Sequence, residues 1–292
     1  MSAATQTAIV SDTTSYMPAE LVRELGIHEI SLYVTLDGEQ RRESEITDYA
    51  DFYERLRSSP GGATTSQPSI GDFTELYEPL LAEGRNIVSI HLSAGISGTW
   101  EAARQARQRL IEEDRGGERV HVYDSRTACG GMGLLVVGAA RGAAAGHSPE
   151  QIVDRVRRLR DALELWFAVD TLEFLRKGGR IGAASAWLGT ALQIKPILTL
   201  GEEITPVERV RTKRRAFERL LERAGERHTE LGADAWIVQH IQDPEAAERF
   251  AEEGAKVYGT EPLFIGEIGP VIGAHVGPGL LGSGGVPPDL LG

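Results

Sequence analysis

Two segments of the sequence place hydroxyl groups where the charge of a ligand could be held. Thr65 lies in a run of hydroxyl and amide side chains at residues 64–69, and Ser97 lies in the glycine-containing segment 93–99, where a helix is predicted to begin. Hydroxyls and the free N–H groups of a helix N-terminus hold anions well. Because Ser and Thr also cap helices, the two segments predict either an anion site or helix caps.

Two further segments hold basic groups in glycine-rich turns. Arg180 follows the paired glycines Gly178 and Gly179 within residues 171–181, and His275 lies among the glycines and prolines of residues 269–279. Paired glycines end a helical turn and can aim the next side chain in a direction that a continuing helix does not allow. A lone histidine is usually structural, but the tightly shaped backbone around His275 favours a functional role.

The same residues leave one enzymatic alternative open. Residues 95–99 read Gly-Ile-Ser-Gly-Thr, which differs from the Gly-x-Ser-x-Gly nucleophile elbow only at Thr99. A serine hydrolase or esterase would use Ser97 as nucleophile and His275 as base, with an aspartate such as Asp124 to orient the base. The sequence contains no Walker loop, no Gly-x-Gly-x-x-Gly after the first strand, no His-Glu-x-x-His and no Cys-x-x-Cys. It therefore predicts no cofactor and no metal site.

The pattern of elements predicts an α/β protein with two lobes. In residues 1–160, strands at about 7–10, 27–36, 86–92 and 119–123 alternate with helices, which is typical of a mostly parallel sheet with covering helices. In residues 161–292, the turn at 201–203 joins two strand-like runs, so we expect a mixed or antiparallel sheet with helices. The glycine- and proline-rich tail after Gly282 is expected to fray.

Composition and charge narrow the class of protein. The chain has 292 residues, of which 41% are apolar, and a formal net charge of −12. Such an acidic chain is a poor match to the phosphates of nucleic acids, which we exclude as partners. The single cysteine, Cys129, and the lack of a leader or a membrane-length apolar run predict a cytoplasmic protein with no membrane span. Within the basic run at residues 209–219, Lys213, Arg214 and Arg215 are expected to form a solvated helix face, and Arg211 is considered separately.

The four segments, together with residues 10–14 and the Val-Arg-Thr of residues 210–212, resemble the DegV family. The resemblance follows the family's order over about residues 7–282, and the ordered set is far more specific than any one motif. It implies a two-lobed α/β protein that binds a long-chain fatty acid between its lobes. It also implies a non-catalytic subunit that presents the carboxylate to a separate ATP-binding fatty acid kinase for acyl-phosphate formation. Storage or transport of the fatty acid without a kinase remains open.

The resemblance also assigns residues to the two ends of the ligand. Thr65 and Ser97 match the hydroxyls expected to hold the carboxylate. Arg180 and His275 match positions near that carboxylate, and Arg211 matches an arginine near the same end that the kinase would meet. Six apolar residues are candidates for the wall around the acyl chain: Phe167, Trp187, Leu188, Leu192, Ile194 and Ile197. Each of the six fits ordinary core equally well, and the length and saturation of the acyl chain do not follow from the sequence.

Overall fold

The computed structural model describes residues 6–59 and 61–292, except for the side chains of residues 190–193. The strands β1 to β13 are, in chain order, Thr7–Asp12, His28–Ile30, Tyr33–Leu36, Glu39–Arg42, Ala63–Ser66, Asn86–His91, Val120–Asp124, Glu164–Ala168, Lys195–Leu200, Ile204–Val210, Ala235–His240, Phe264–Glu267 and Leu281–Val286. The helices α1 to α11 are Ala19–Glu24, Tyr49–Ser58, Ile70–Ala82, Thr99–Glu112, Cys129–Ala144, Pro149–Ala162, Glu173–Lys177, Lys213–Leu231, Pro244–Tyr258, Pro270–Val276 and Pro288–Leu291. Residues Gly182–Gln193 form a 3-10 segment.

The N-terminal sheet has the strand order β2-β1-β6-β7, and each of its pairings is parallel. β1 and β6 are buried along nearly their whole length, as parallel strands covered on both faces must be. One face packs against α3 and α4, where Val10 clusters with Phe73 and Ala103. The other face packs against α5. The predicted parallel sheet with covering helices is confirmed.

The C-terminal sheet has the order β10-β9-β8-β13-β11-β12. The hairpin of β9 and β10 is antiparallel, as its turn predicts, and only the edge pairing of β12 with β11 in this sheet is parallel. The sheet is therefore mixed, and the prediction for this half is also confirmed.

The expectation that the tail frays after Gly282 is wrong. Residues Leu281–Val286 form β13, a central strand paired with β8 on one side and with β11 on the other. Glycine is a poor strand former by propensity, but here two neighbouring strands supply the hydrogen bonds that hold the backbone. A Cβ on Gly284 would lie 2.8 Å from the Glu164 carbonyl oxygen, so the close approach of β8 requires a glycine.

A third, three-stranded sheet was not predicted. The run at residues 27–36 divides into β2, which joins the parallel sheet, and β3, which pairs antiparallel with β4 and β5. The hydroxyl run is therefore partly a strand, since Thr65 lies on β5. The capping alternative holds for a different residue: Ser69 caps α3 and forms a capping box with Asp72.

Helix α5 lies between the two large sheets and is buried over most of its length. It contacts β1 and β6 on one side and β11 and β13 on the other. Its glycines allow this close packing, because a Cβ on Gly130 would lie 2.7 Å from Ile237 Cδ1. The largest hydrophobic cluster accordingly joins residues from both halves of the chain, such as Ile9, Val136 and Val286. No helix within the described residues is long and apolar enough to cross a bilayer.

Candidate functional site

A cavity with about 900 Å³ of empty space, part of it open to solvent, lies between β5, α10, the start of α4 and the inner face of the C-terminal sheet. Most of its wall is apolar, and that part includes Leu165, Phe167, Leu200, Ile268, Val271 and Val276. Its polar lining includes Thr65, Ser97, Arg180 and His275. The structure thus brings four of the five predicted site residues to one cavity.

We call these four residues the head-group cluster; the side chains of one pair, Thr65 and His275, are in direct contact. Thr65 Oγ1 lies 2.8 Å from His275 Nε2. The Arg180 guanidinium donates to the Ile96 carbonyl at 3.2 Å, next to Ser97, and to the Gly178 carbonyl at 2.8 Å. Arg180 itself is exposed, so the cluster lies at the mouth of the cavity and the apolar wall leads inward from it.

The His275 ring is held in an unusually close packing arrangement. A Cβ on Gly178 would lie 2.3 Å from His275 Nδ1, so only glycine fits beside the ring. Burial and the nearby Arg180 charge lower the pKa of His275 to about 4. The imidazole is therefore neutral near pH 7, with a single N–H to donate.

The neutral ring has two possible tautomers, and the surroundings favour one. Nδ1 of His275 has no hydrogen-bond partner among the described residues. A buried N–H without a partner is rarer in proteins than a buried acceptor without one. On this ground we assign the proton to Nε2, which faces Thr65 Oγ1 at 2.8 Å. This leaves the hydroxyl proton of Thr65 free to be donated to a ligand in the cavity.

Ser97 serves two roles at the entrance of α4. The helix begins at Thr99. Its N-cap residue is Gly98, which has no side chain with which to cap the helix. Ser97 Oγ accepts a hydrogen bond from the Thr99 N–H at 3.3 Å and lies 2.9 Å from Thr99 Oγ1. The hydroxyl therefore orders the helix start and still lines the cavity.

Arg211 is not part of this cavity. It is exposed in the connection between β10 and α8 and does not line the cavity wall. The basic run beside it is largely a solvated face, as expected, since Arg214 and Arg215 both pair with Glu218. Arg209 instead stacks over the Trp187 ring, 4.6 Å from its centroid.

The geometry gives little support to a Ser97 hydrolase. Asp124 accepts the backbone N–H groups of Ala94 and Arg126, and His275 Nε2 bonds Thr65 rather than Ser97. A serine, a histidine and an aspartate do meet elsewhere: Ser89 Oγ lies 2.7 Å from His91 Nε2, and His91 Nδ1 lies 3.1 Å from Asp12. All three side chains are fully buried, so this chain of hydrogen bonds joins β1 to β6 and has no access to a substrate.

Of the six residues predicted to form the wall around the acyl chain, the structure places some at the cavity and others elsewhere in the core. Phe167 lines the cavity, whereas Ile197 lies in the separate hydrophobic cluster packed against α8 and α9. Trp187 and Leu188 pack against the main core without lining the cavity, and Ile194 does not line it. The side chain of Leu192 lies outside the described residues.

Other lining residues were missed by sequence reasoning. Gln67 lies at the mouth, Cys129 begins α5, and Gln239 lies on the inner face of β11. Gln67 belongs to the hydroxyl and amide run and could have been included from that pattern. Nothing in the sequence distinguishes Gln239 from an ordinary strand residue, because its position depends on the pairing of β11 with β13.

Comparison with known proteins agrees with this geometry. A family model described as "Uncharacterised protein, DegV family" matches residues 6–287. A DegV domain-containing protein from Streptomyces coelicolor is 37% identical over 281 residues, covering 94% of this chain and 96% of that protein. Two solved structures are each 34% identical in sequence to this chain. One, described as showing fatty acid binding of a DegV family protein from Thermus thermophilus, has a TM-score of 0.87 and covers 97% of this chain and 99% of its own. The other, described as DegV, a fatty acid binding protein from Bacillus subtilis, has a TM-score of 0.82 and covers 96% of this chain and 98% of its own.

These matches extend over nearly the whole chain, in sequence and in structure alike. The chain therefore belongs to the DegV family.

Proposed function

We propose that this protein is a cytosolic carrier that binds one long-chain fatty acid in the cavity and offers its carboxylate to a partner kinase. The proposal rests on one observation: the cavity has an apolar wall, and the head-group cluster lies at its mouth. The two relatives at 34% identity whose structures are described as fatty acid binding support the same ligand class.

The energetics of such a ligand fit the two parts of the cavity. Burying an acyl chain of about sixteen carbons yields roughly 0.8 kcal/mol per methylene, or about 11 kcal/mol before the costs of association. A carboxylate loses its water on entry and needs strong donors in exchange. Thr65 and Ser97 are proposed to donate to it, and Arg180 contributes a positive charge that has no carboxylate partner among the described residues.

The neutral state of His275 gives it a particular role in this proposal. A ring whose pKa is about 4 adds no positive charge at pH 7. It acts by donating to Thr65, which turns the threonine hydroxyl toward the ligand. Arg180 then remains the cationic group of the cluster that faces the carboxylate.

A partner supplies the chemistry in this proposal. Attack of a carboxylate on the terminal phosphate of ATP gives an acyl phosphate, and such reactions depend on alignment and charge stabilisation. Since the sequence contains no nucleotide-binding loop, ATP would come on a separate kinase chain. Arg211, exposed and outside the cavity, is available for contact with that chain. Storage or transport without a kinase is the alternative for the same ligand.

Mass spectrometry of a denaturing organic extract of the purified protein tests the ligand. We expect about one long-chain fatty acid per chain, or its uptake when palmitate is added to delipidated protein. If neither extraction nor added palmitate yields a bound fatty acid, the proposal is wrong.

A second experiment tests the division of labour. Purified protein with fatty acid, ATP and Mg²⁺ should form no acyl phosphate unless a kinase subunit is added. Formation of acyl phosphate by this chain alone would contradict the carrier role. Ester hydrolysis that disappears in Ser97→Ala would instead support the hydrolase alternative.

A further inference from the structure

Glu43 is a buried carboxylate outside the cavity lining. It follows β4, its side chain is 2% exposed, and three donors from distant parts of the chain converge on it. Its Oε2 accepts from the Thr13 hydroxyl at 2.6 Å. Its Oε1 accepts from the Tyr16 hydroxyl at 2.7 Å and from the Val271 N–H at 2.8 Å. A buried carboxyl group with this many donors is held in one place, because losing any of them would leave it under-satisfied.

These bonds fix the start of α10 to the N-terminal half. The first N–H groups of a helix have no partner within the helix. In α10, Glu43 accepts the N–H of Val271 and the Tyr16 hydroxyl oxygen accepts the N–H of Ile272 at 3.1 Å.

A third side chain holds the same helix from α2. The Tyr53 hydroxyl donates toward the carbonyls of Ile268 and Gly269, at 2.7 and 3.0 Å. A Cβ on Gly273 would lie 2.0 Å from that hydroxyl, so the helix backbone lies directly on the tyrosine. Helix α10 belongs to the C-terminal half of the sequence; the N-terminal half supplies these three hydrogen-bonding side chains, and α7 packs on the helix from its own half.

Helix α10, held in this position, provides part of the cavity lining. His275 lies four residues after Val271, on the same side of the helix. Val271, Ile272 and Val276 line the apolar wall. The hydrogen bond from His275 to Thr65 is 2.8 Å long, and a shift of α10 by about 1 Å would break it.

We propose that Glu43 is a positioning residue for the head-group cluster: by binding the first turn of α10, it places His275 against Thr65. Its effect on fatty acid affinity rests on the proposed function, whereas its effect on His275 does not. Glu43 touches no ligand in this arrangement and acts only through α10.

Three variants separate positioning from simple loss of stability. Glu43→Ala removes every acceptor. Glu43→Gln keeps Oε1 for Tyr16 and Val271, and its amide can donate to the Thr13 hydroxyl. Phe250→Leu is the control, since Phe250 is fully buried in the hydrophobic cluster packed against α8 and α9, which includes no residue of α10.

The first measurement uses the ligand-free protein and the ring ¹⁵N and ¹H signals of His275, assigned by comparison with His275→Asn. We expect these signals to shift in Glu43→Ala, and to stay near their wild-type positions in Glu43→Gln and Phe250→Leu. Unchanged signals in Glu43→Ala would overturn the proposal. If Glu43→Ala fails to fold, Glu43→Asp, which is one methylene shorter and so withdraws the carboxylate from the Val271 N–H, provides the same comparison.

The second measurement compares the affinities for palmitate and for 1-hexadecanol. Loss of the ordered Thr65 donor should weaken palmitate binding by about tenfold or more in Glu43→Ala. Binding of the alcohol should weaken less, and Glu43→Gln should restore both. An equal loss for acid and alcohol would mean that Glu43 supports only the apolar wall, and would overturn the positioning role. If wild-type protein binds no fatty acid, the proposed function fails while the His275 signals still test Glu43.

Discussion

His275 has one hydrogen-bond partner among the described side chains, the Thr65 hydroxyl. The contact between the two determines which hydrogen bonds His275 and Thr65 can each donate. With the imidazole neutral and its proton on Nε2, Thr65 becomes an acceptor from the ring and a donor to the cavity. The hydroxyl then behaves as an oriented donor rather than a freely rotating one. At the scale of single residues, this is the feature that suits the site to an anion.

Removing the Thr65 hydroxyl tests its donor role. Thr65→Val keeps the shape of the side chain, and we expect palmitate to bind about 10- to 100-fold more weakly, because a hydrogen bond to a charged group is lost. Calorimetry on delipidated protein measures this. Thr64→Val, at the exposed neighbouring position on β5, should bind as the wild type does. Equal losses in the two variants would argue against a specific role for Thr65.

The lowered pKa of His275 predicts a pH dependence of stability. Between about pH 6.5 and pH 4 the unfolded chain takes up a proton on this residue and the folded chain does not, so the free energy of unfolding falls as the pH drops. Between pH 7 and pH 5 the contribution is about 2 kcal/mol. Urea unfolding of wild type and His275→Asn at both pH values measures it. The wild type should lose more stability than the variant, and parallel losses would contradict the prediction.

At the scale of elements, the sequence predicts what depends on local pattern. The parallel sheet, the β9–β10 hairpin and the helices of the first half follow from periodicity and turn residues, and their types are confirmed. Strand β13 could not be predicted in this way, because Gly282, Gly284 and Gly285 form a strand only between two partners. Helix α6 differs in this respect: although it is rich in charged residues, the i, i+4, i+7 spacing of Ile152, Val156 and Leu159 marks the face that it buries against α5.

The glycines of β13 provide a test of that central position. Gly284→Val should lower the free energy of unfolding by about 1–3 kcal/mol or more, because its side chain would meet Glu164 and Leu165 of β8. Denaturant unfolding measures the loss. Gly61→Val is the control, since nothing lies within 4 Å of a Cβ at that position. A stable Gly284→Val protein would mean that β8 and β13 are not so closely paired.

The site shows the same limit of sequence reasoning. Thr65, Ser97, Arg180 and His275 were identified because each lies in a distinctive segment, and the structure brings them together. Glu43 lies in a charged run, residues 42–45, that reads as a surface loop. Its burial arises from contacts with Thr13 and Val271, which are far apart in sequence. No local pattern predicts such a contact.

In the fold as a whole, the proposed boundary near residue 160 assigns the strands of the two large sheets to different halves of the chain. The hydrophobic core, however, is not divided there. Strands β1 to β7 precede it and β8 to β13 follow it, yet α5 packs on both large sheets and the main hydrophobic cluster spans both halves. Residues 1–160 and 161–292 therefore share one core. We propose that they are lobes of one cooperative unit rather than independent domains.

Unfolding of delipidated protein tests this cooperativity. In Trp100→Phe, the remaining tryptophans all lie after residue 160, so fluorescence reports the second half while far-ultraviolet circular dichroism reports both. We expect the two signals to show one coincident transition in urea. Two separated midpoints would indicate that the halves unfold independently.

The place of β13 in the C-terminal sheet also affects how the protein can be made. Residues 281–286 lie between β8 and β11, so the floor of the cavity stays incomplete until residue 286 has left the ribosome. Until then, the apolar inner faces of β8 and β11 have no strand between them and are open to aggregation. The cavity of a nascent chain therefore cannot be completed before residue 286 is free to pair.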